Sequence, residues 1–200
     1  YRNVLAIDAA DRERLGSALP LFDAAHYTAN VDHHRTNTRY ARHNLVDNTV
    51  AATGELVYEL IKALPVAVDE PTAQCLYTAI ITDTGNFSYT NTTRSTFLMA
   101  AELMETGLNI SRINTLVYRT QAFAKKKLEA AVINGMELYA GGRLGVATLS
   151  LEDMRRIGAD EEDTEGVIDH IRDVETVQIA IFVRESVEGK SRANLRSKEG

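Results

Sequence analysis

Hydrophobic residues in the first half of the chain occur alternately as short continuous runs and in helical spacing. Two runs, at residues 3–7 and 27–31, have the length of buried strands, and an aspartate follows each of them, Asp8 and Asp32. Between residues 49 and 108, further stretches place apolar residues three and four positions apart, which is typical of helices. Because strands alternate with helices, the pattern predicts an α/β domain with a largely parallel sheet.

The helical spacing also predicts which residues face the core. The apolar stripe begins at Leu56 in the first of these helices and at Phe97 in the third. In the second helix, Cys75 precedes Leu76 and lies close to Ile80, so we expect a buried thiol. Cys75 is the single cysteine of the chain, which excludes an intramolecular disulfide and a cysteine-based zinc site.

The second half of the chain has a different pattern. Residues 137–149 read as two strands joined at a pair of glycines, and residues 177–183 alternate with the period of two that is typical of a strand. We therefore divide the chain into an α/β domain at 1–108, a helical linker at 109–124 and a smaller α/β domain at 125–200.

Composition limits the partners of the protein. The 200 residues carry a formal net charge of -6, which argues against duplex DNA or an anionic membrane as a partner. The sequence contains neither an apolar run long enough for a membrane span nor a signal peptide, so we expect a cytoplasmic protein. Strand-like runs lie close to Tyr1 and Gly200, and we expect the sequence to be a piece of a longer protein.

Acidic and imidazole side chains lie at the ends of predicted elements. Asp8 and Asp32 end strands, Asp83 ends the second helix, and His33 and His34 follow Asp32. In open α/β sheets, ligands bind beyond the carboxyl ends of the strands, and crowded carboxylates need a compensating cation. Oxygen and imidazole ligands suit manganese, iron, zinc or magnesium. Each residue alone is also explained as a turn or cap, so the pattern predicts a metal site without naming a reaction.

These motifs resemble the DHH phosphoesterase family. The resemblance rests on Asp32-His33-His34, with Asp8 upstream and the segment Asp-Thr-Gly-Asn-Phe-Ser-Tyr at 83–89 downstream. Residues 31–34, Asn37 and the segments 44–58 and 83–92 are similar to the NrnA-type subgroup of bifunctional oligoribonucleases and PAP phosphatases. Those enzymes degrade very short RNAs and dephosphorylate 3'-phosphoadenosine 5'-phosphate. The segment 192–197 is similar to the C-terminal substrate-binding domain of that family.

The resemblance implies three groups of functional residues: metal ligands (Asp8, His33 and Asp83), catalytic residues (His34 and Asp32) and substrate-binding residues (Arg196, Ser197 and Asn194). It implies that His34 faces the substrate phosphate and that Asp32 holds the imidazole of a neighbouring histidine. Two divalent ions are the implied cofactors, with Mn²⁺ favoured and Mg²⁺ as the alternative. The implied partner is short single-stranded RNA or a nucleotide, and a homodimer is left open.

The resemblance also implies segments that this sequence does not contain. The family has an upstream strand with further metal ligands and a downstream glycine-rich segment that embraces the substrate. We therefore expect these 200 residues alone to be inactive or nearly so, and to bind a single ion weakly. Two other functions stay open: hydrolysis of cyclic or linear dinucleotides, and nucleotide binding without catalysis.

Overall fold

The structure, a computed structural model, describes residues 2–186 and 189–198. The chain divides into two compact units after Arg119. The predicted α/β class is confirmed. The predicted linker, 109–124, lies on both sides of this division. Positions 1 and 200, where the predicted domains begin and end, lie outside the described residues, and the domain limits stay predictions.

The first unit contains a parallel three-stranded sheet in the order β1-β2-β3, with β1 at Asn3–Ile7, β2 at Tyr27–Asp32 and β3 at His43–Val46. Because the strands are parallel, their carboxyl ends meet at one edge of the sheet, where Asp8 follows β1 and Asp32 ends β2. The sequence pattern did not predict β3. This strand has four residues, and two of them, His43 and Asn44, are polar.

Five α-helices belong to the first unit: α1 (Leu19–Asp23), α2 (Thr53–Ala63), α3 (Glu70–Asp83), α4 (Arg94–Met104) and α5 (Ile110–Asn114). A 3-10 helix at Glu13–Ala18 and a π-helix at Thr115–Arg119 complete it. Side chains determine where α3 and α4 begin. The Asp69 carboxylate accepts a hydrogen bond from the Thr72 N–H ahead of α3, and Thr93 and Thr96 form a capping box at α4.

The core face of α4 and the burial of Cys75 differ from the predictions. In α4 the buried side chains include Met99 and Leu103, whereas Phe97 is 55% exposed and stacks on Phe87 with the ring centroids 5.0 Å apart. Cys75 is exposed because the core residues of α3, at positions 73, 76, 77 and 80, define the opposite face of the helix. Both predictions were wrong because a helix rich in apolar residues offers more than one apolar stripe, and packing selects one.

A hydrogen bond from the buried hydroxyl of Tyr58 in α2 to the Glu102 carboxylate connects α2 with α4. Burial and the neighbouring carboxylate raise the pKa of Tyr58 to about 12.

Tyr58→Phe is expected to lower the free energy of unfolding by about 1 kcal/mol, measured by denaturant titration at neutral pH. The contribution is complete below the unfolded-state pKa of about 10 and is lost as the pH rises through the folded-state value. Tyr27→Phe, at a half-exposed ring, is the control. An equal loss in both variants would contradict the prediction.

The second unit packs helices against a four-stranded sheet in the order β4-β5-β6-β7. Its elements are α6 (Phe123–Asn134), β4 (Glu137–Tyr139), β5 (Leu144–Leu149), α7 (Leu151–Ile157), α8 (Val167–Arg172), β6 (Ile179–Glu185) and β7 (Ser191–Ser197), with 3-10 helices at Ala140–Gly142 and Glu162–Thr164. β5 and β6 pair in parallel, whereas β6 and β7 are antiparallel. β4 and β5, the two strands predicted on either side of the glycine pair, are also antiparallel. None of the described helices is both long and apolar enough to cross a bilayer.

The pairing of β6 with β7 determines which face of the sheet each β7 residue occupies. Phe182 and Ala180, both buried in the core of this unit, lie opposite Asn194 and Arg196. Ser197 lies opposite Ile179, which is 47% exposed. Because side chains alternate along a strand, Asn194 and Arg196 share one face of the sheet and Ser197 occupies the other.

Candidate metal centre

Asp8 turns out of the sheet at the carboxyl end of β1. Its N–H still donates to the Val31 carbonyl at 2.9 Å, and its backbone then adopts a φ of 60°, in the left-handed region that aspartate tolerates better than most residues. The Thr53 hydroxyl, at the first residue of α2, donates to Asp8 Oδ1 at 2.7 Å. The side chain of Asp8 is 50% exposed, so the carboxylate is oriented but accessible.

His33 lies between two carboxylates. Its Nε2 is 3.8 Å from Asp8 Oδ1 and 3.6 Å from Asp83 Oδ2. These separations exceed a normal hydrogen bond, yet two ligands that share an ion at about 2.1 Å each lie no more than about 4.2 Å apart. His33 is therefore spaced from each of the two carboxylates as a ligand that shares a cation with it would be.

His34 has a different neighbour. Its Nδ1 is 2.7 Å from Asp32 Oδ1, and the same nitrogen is 3.8 Å from Asp8 Oδ1. The His33 and His34 rings meet edge to face with their centroids 4.7 Å apart. Single donor atoms from Asp8, His33 and His34 all lie within 4.8 Å of one another. The structure thus brings together, at one sheet edge, every residue of the first unit that the sequence predicted for the site.

The carboxylates at this edge are in unlike electrostatic environments. Burial raises the pKa of Asp83, and the nearby Asp8 carboxylate raises it further, although the His33 imidazole opposes them. Burial would also raise the pKa of Asp32, but hydrogen bonds with His34 and Asn37 outweigh it and hold the pKa below its ordinary value. A cation at Asp8 and Asp83 would relieve their mutual repulsion, so the oxygen and imidazole donors fit a divalent metal.

A strained loop follows Asp83. Gly85, Asn86 and Phe87 have consecutive positive φ angles of 54°, 56° and 65°, a conformation that is costly for a residue as bulky as phenylalanine. The Asn86 N–H donates to the Ile81 carbonyl at 2.7 Å, and the Phe87 N–H to the Thr84 hydroxyl at 3.1 Å. These contacts hold the backbone immediately after Asp83.

The sequence analysis assigned no role to the polar residues that support the site. Thr53 orients Asp8, and Asn37 donates to Asp32 Oδ2 at 2.5 Å. Asn30 and Tyr40 extend this buried set of hydrogen bonds. The available signal was local: Asn37 lies three residues after His34, and Thr53 begins a helix that follows two alanines. Neither signal indicated the tertiary contact.

In the second unit, Arg196 and Asn194 line a cavity of about 450 Å³. Two other guanidinium groups form ion pairs with Glu161, whose Oε1 is 3.0 Å from Arg184 and 2.9 Å from Arg192. Among the described residues, the Arg196 guanidinium makes a single hydrogen bond, to the Leu195 carbonyl at 3.3 Å, and no ion pair. Ser197, on the other face of β7, does not line the cavity.

Comparisons with known proteins bear on the whole chain. A scan of the sequence against models of protein families finds no match. The chain is 33% identical over 198 residues to the bifunctional oligoribonuclease and PAP phosphatase NrnA of Thermus thermophilus, and 28% identical to the probable enzyme of that name from Streptococcus mutans. Each match covers 98% of this chain but only 57% and 62% of the relative, so the chain spans about three fifths of the length of these curated relatives. The crystal structure of an exopolyphosphatase-related protein from Bacteroides fragilis superposes with a TM-score of 0.90 at 24% identity, over 98% of this chain and 58% of that one.

The fold and the site define an α/β protein with a candidate metal centre at the carboxyl edge of a parallel sheet. Relatives named NrnA match nearly its whole length at 23–33% identity, in agreement with the resemblance of its motifs to the DHH phosphoesterases. The resemblance seen in the sequence motifs is confirmed.

Proposed function

We propose that the protein is a metal-dependent phosphoesterase that hydrolyses short oligoribonucleotides to mononucleotides and 3'-phosphoadenosine 5'-phosphate to AMP. The observation that carries the proposal is the position of His33 Nε2, 3.8 Å from the Asp8 carboxylate and 3.6 Å from that of Asp83. Relatives that match 98% of this chain bear the name bifunctional oligoribonuclease and PAP phosphatase, which supports these substrates.

Asp8, His33 and Asp83 would hold the metal, and their oxygen and nitrogen donors suit Mn²⁺, with Mg²⁺ as the alternative. The proposed cofactors are two divalent ions. When bound, they supply positive charge that makes water a stronger nucleophile and stabilises negative charge on the phosphate. The Thr53 hydroxyl keeps Asp8 oriented for this role.

His34 would act on the phosphate itself. Asp32 holds Nδ1 of the ring at 2.7 Å, so Nε2 is the nitrogen left for a substrate oxygen or a proton. Within the part of the chain that the structure describes, this nitrogen has no hydrogen-bond partner. The ring is partly exposed, which is consistent with a role in contacting substrate.

Arg196 and Asn194 would bind a phosphate of the substrate in the second unit. The support for this role is the cavity that both line and the lack of a carboxylate partner for Arg196 among the described residues. A guanidinium group can donate two hydrogen bonds to one phosphate. Ser197 also belongs to the proposed set, but it lies on the other face of β7 and would need a separate contact.

The proposal is tested by incubating the protein, at its natural length, with a diribonucleotide, with 3'-phosphoadenosine 5'-phosphate and with a cyclic dinucleotide. Release of mononucleotides from the first two is expected with Mn²⁺ and is expected to stop when EDTA removes the metal. Preferred hydrolysis of the cyclic substrate would support the alternative function. Hydrolysis of none of them with Mn²⁺ or Mg²⁺, or undiminished hydrolysis in EDTA, would contradict the proposal.

Arg196→Ala is expected mainly to raise KM, because the guanidinium binds the phosphate equally in the ground and transition states. Loss of a charged hydrogen bond is worth about 1.5–3 kcal/mol, which corresponds to a roughly 10- to 150-fold higher KM. Steady-state kinetics on the diribonucleotide measure it. Arg192→Ala removes a guanidinium from the same strand and face, but one already paired with Glu161, and serves as the control. An unchanged KM in Arg196→Ala would assign Arg196 a structural role.

The cytoplasmic location, the homodimer and the exclusion of duplex DNA and membrane as partners stay predictions.

A further inference from the structure

The carboxylate of Asp32 is fully buried, and a different side chain engages each of its oxygens. Its Oδ1 is 2.7 Å from His34 Nδ1, and its Oδ2 accepts a hydrogen bond from Asn37 Nδ2 at 2.5 Å. A carboxylate held at both oxygens cannot rotate without breaking one of these bonds. The direction in which Asp32 presents Oδ1 to His34 therefore depends on Asn37.

The Asn37 side chain is itself fixed in one orientation. Its Nδ2 faces acceptors, because Asn30 Oδ1 lies at 2.8 Å and the Ala9 carbonyl at 3.4 Å, in addition to Asp32. Its Oδ1 accepts the N–H of Arg39 at 2.7 Å. A flipped amide would turn an oxygen toward the Asp32 carboxylate and an NH₂ group toward an N–H donor, so the hydrogen bonds exclude that alternative.

The next layer connects Asn37 to the sheet. Asn30, 1% exposed in the middle of β2, donates from Nδ2 to the Ala6 carbonyl at 3.4 Å, the Ala9 carbonyl at 3.3 Å and the Tyr40 hydroxyl at 3.3 Å. The Asn37 N–H donates to the His34 carbonyl at 3.1 Å, which turns the chain back after the two histidines. A continuous set of hydrogen bonds thus runs from the backbone beside β1 to the His34 ring.

We infer that Asn37 is a positioning residue that locks the Asp32 carboxylate and, through it, the tautomer and ring plane of His34. The carboxylate requires a donor at His34 Nδ1, so a neutral His34 carries its proton on Nδ1 and presents a bare Nε2. The use of that nitrogen in catalysis rests on the proposed function, whereas the tautomer does not depend on it.

A purely structural role for Asn37 has a different consequence. If Asn37 only stabilised the turn through its bond with Arg39, its removal would lower stability and leave the His34 tautomer unchanged. Asn44 supplies the matched control. Among the residues that the structure describes, its side chain bonds only to the backbone of Ala41, donating to the carbonyl at 2.7 Å and accepting from the N–H at 3.3 Å.

Nitrogen NMR of the imidazole groups distinguishes the two roles. The protein at its natural length, labelled with ¹⁵N-histidine and loaded with diamagnetic Mg²⁺, is measured in the alkaline range, at a pH above which the histidine signals no longer change. His34→Gln identifies the His34 signals. We expect the proton of His34 to lie on Nδ1 in the wild type and in the control variant Asn44→Ala. In Asn37→Ala we expect an additional population of His34 that is protonated on Nε2.

Turnover provides a second measurement in the same variants. Loss of a residue that orients a metal-binding histidine typically costs 10- to 100-fold in activity. We expect kcat of Asn37→Ala to fall by about the same factor, with a smaller change in KM. Asn37→Ser, which retains a polar group but is too short to reach Asp32, replaces Asn37→Ala if the latter does not fold. It is expected to show the same spectrum.

A wild-type His34 protonated at Nε2, or a folded Asn37 variant with the wild-type tautomer, would overturn the inference. The spectra require no substrate. They can therefore fail when the proposed activity is present, and they can succeed when the tested phosphoesters are not cleaved.

Discussion

Asp83→Ala is expected to lower kcat on a diribonucleotide by well over a hundredfold while the protein stays folded. Replacing a residue that only supports a metal ligand typically lowers metal affinity or activity 10- to 100-fold. Asp83 would be a ligand itself, so a larger loss is expected. The fold should tolerate the change because the carboxylate lies in an unfavourable place without metal. It ends α3, at the negative end of the helix dipole, and burial raises its pKa.

The direction of that pKa shift also predicts a change in stability. Because the folded-state pKa of Asp83 is raised, its contribution to folding is favourable below its unfolded-state pKa and is lost as the pH rises through the folded-state value. Metal-free Asp83→Ala should therefore melt at or above the wild-type temperature near neutral pH. Added Mn²⁺ should raise the melting temperature of the wild type and not that of the variant.

Asp69→Ala is the matched control, since it removes a carboxylate from the other end of α3. Asp69 caps the helix through the Thr72 N–H at 3.0 Å, so this variant should lose stability and keep its turnover. Wild-type turnover by a folded Asp83→Ala protein would remove Asp83 from the metal site and, with it, the geometry on which the proposed function depends.

Asp32→Asn is expected to lower kcat strongly, because it can reverse the direction of the hydrogen bond between residue 32 and His34. A carboxylate accepts from both His34 and Asn37, but an amide offers one oxygen. If that oxygen faces Asn37, the amide NH₂ meets His34 Nδ1 and forces the ring into the opposite tautomer. The corresponding change in a Ser-His-Asp triad costs about 10⁴ in kcat through the wrong tautomer, and a loss between about 10² and 10⁴ is expected here.

The same variant tests the pKa of Asp32. Since the folded-state pKa is lowered, the ionised carboxylate stabilises the fold above its unfolded-state pKa of about 3.9, and this contribution is lost as the pH falls through the lower folded-state value. The difference in unfolding free energy between wild type and Asp32→Asn should therefore be largest near neutral pH and shrink in acid. Denaturant titrations across this pH range measure it.

Asp47→Asn provides the control for both readouts. Asp47 follows β3 at the same sheet edge, but its Oδ1 accepts from the Thr49 N–H at 2.8 Å and hydroxyl at 2.7 Å, and it contacts neither histidine. Its turnover should match the wild type. If Asp32→Asn also retained wild-type turnover, the Asp32–His34 contact would have no part in catalysis.

The carboxyl ends of strands could be located from local patterning alone. Short apolar runs ending at Asp8 and Asp32, and a helix ending at Asp83, predicted where these side chains leave the elements. Parallel strands bring their ends to one edge, so the meeting of Asp8 with His33 followed from the α/β class. The family resemblance added roles for these residues that spacing could not supply, and those roles stay predictions.

Side-chain partners were outside the reach of that reasoning. The sequence by itself determined the strands β1 and β2, the helices α2 to α4 and the acidic and imidazole residues at their ends. Hydrophobic periodicity and the residues that begin or end an element are properties of neighbouring positions in the chain. The tertiary structure alone decided that α4 buries Met99 and leaves Phe97 exposed, since packing selects one of two apolar stripes. It alone decided that Asp32, not Asp8, is the buried carboxylate, because Asn37 folds back on it and Asn30 anchors Asn37. A buried charge persists only where such partners converge, and that convergence depends on contacts between segments that no local pattern encodes.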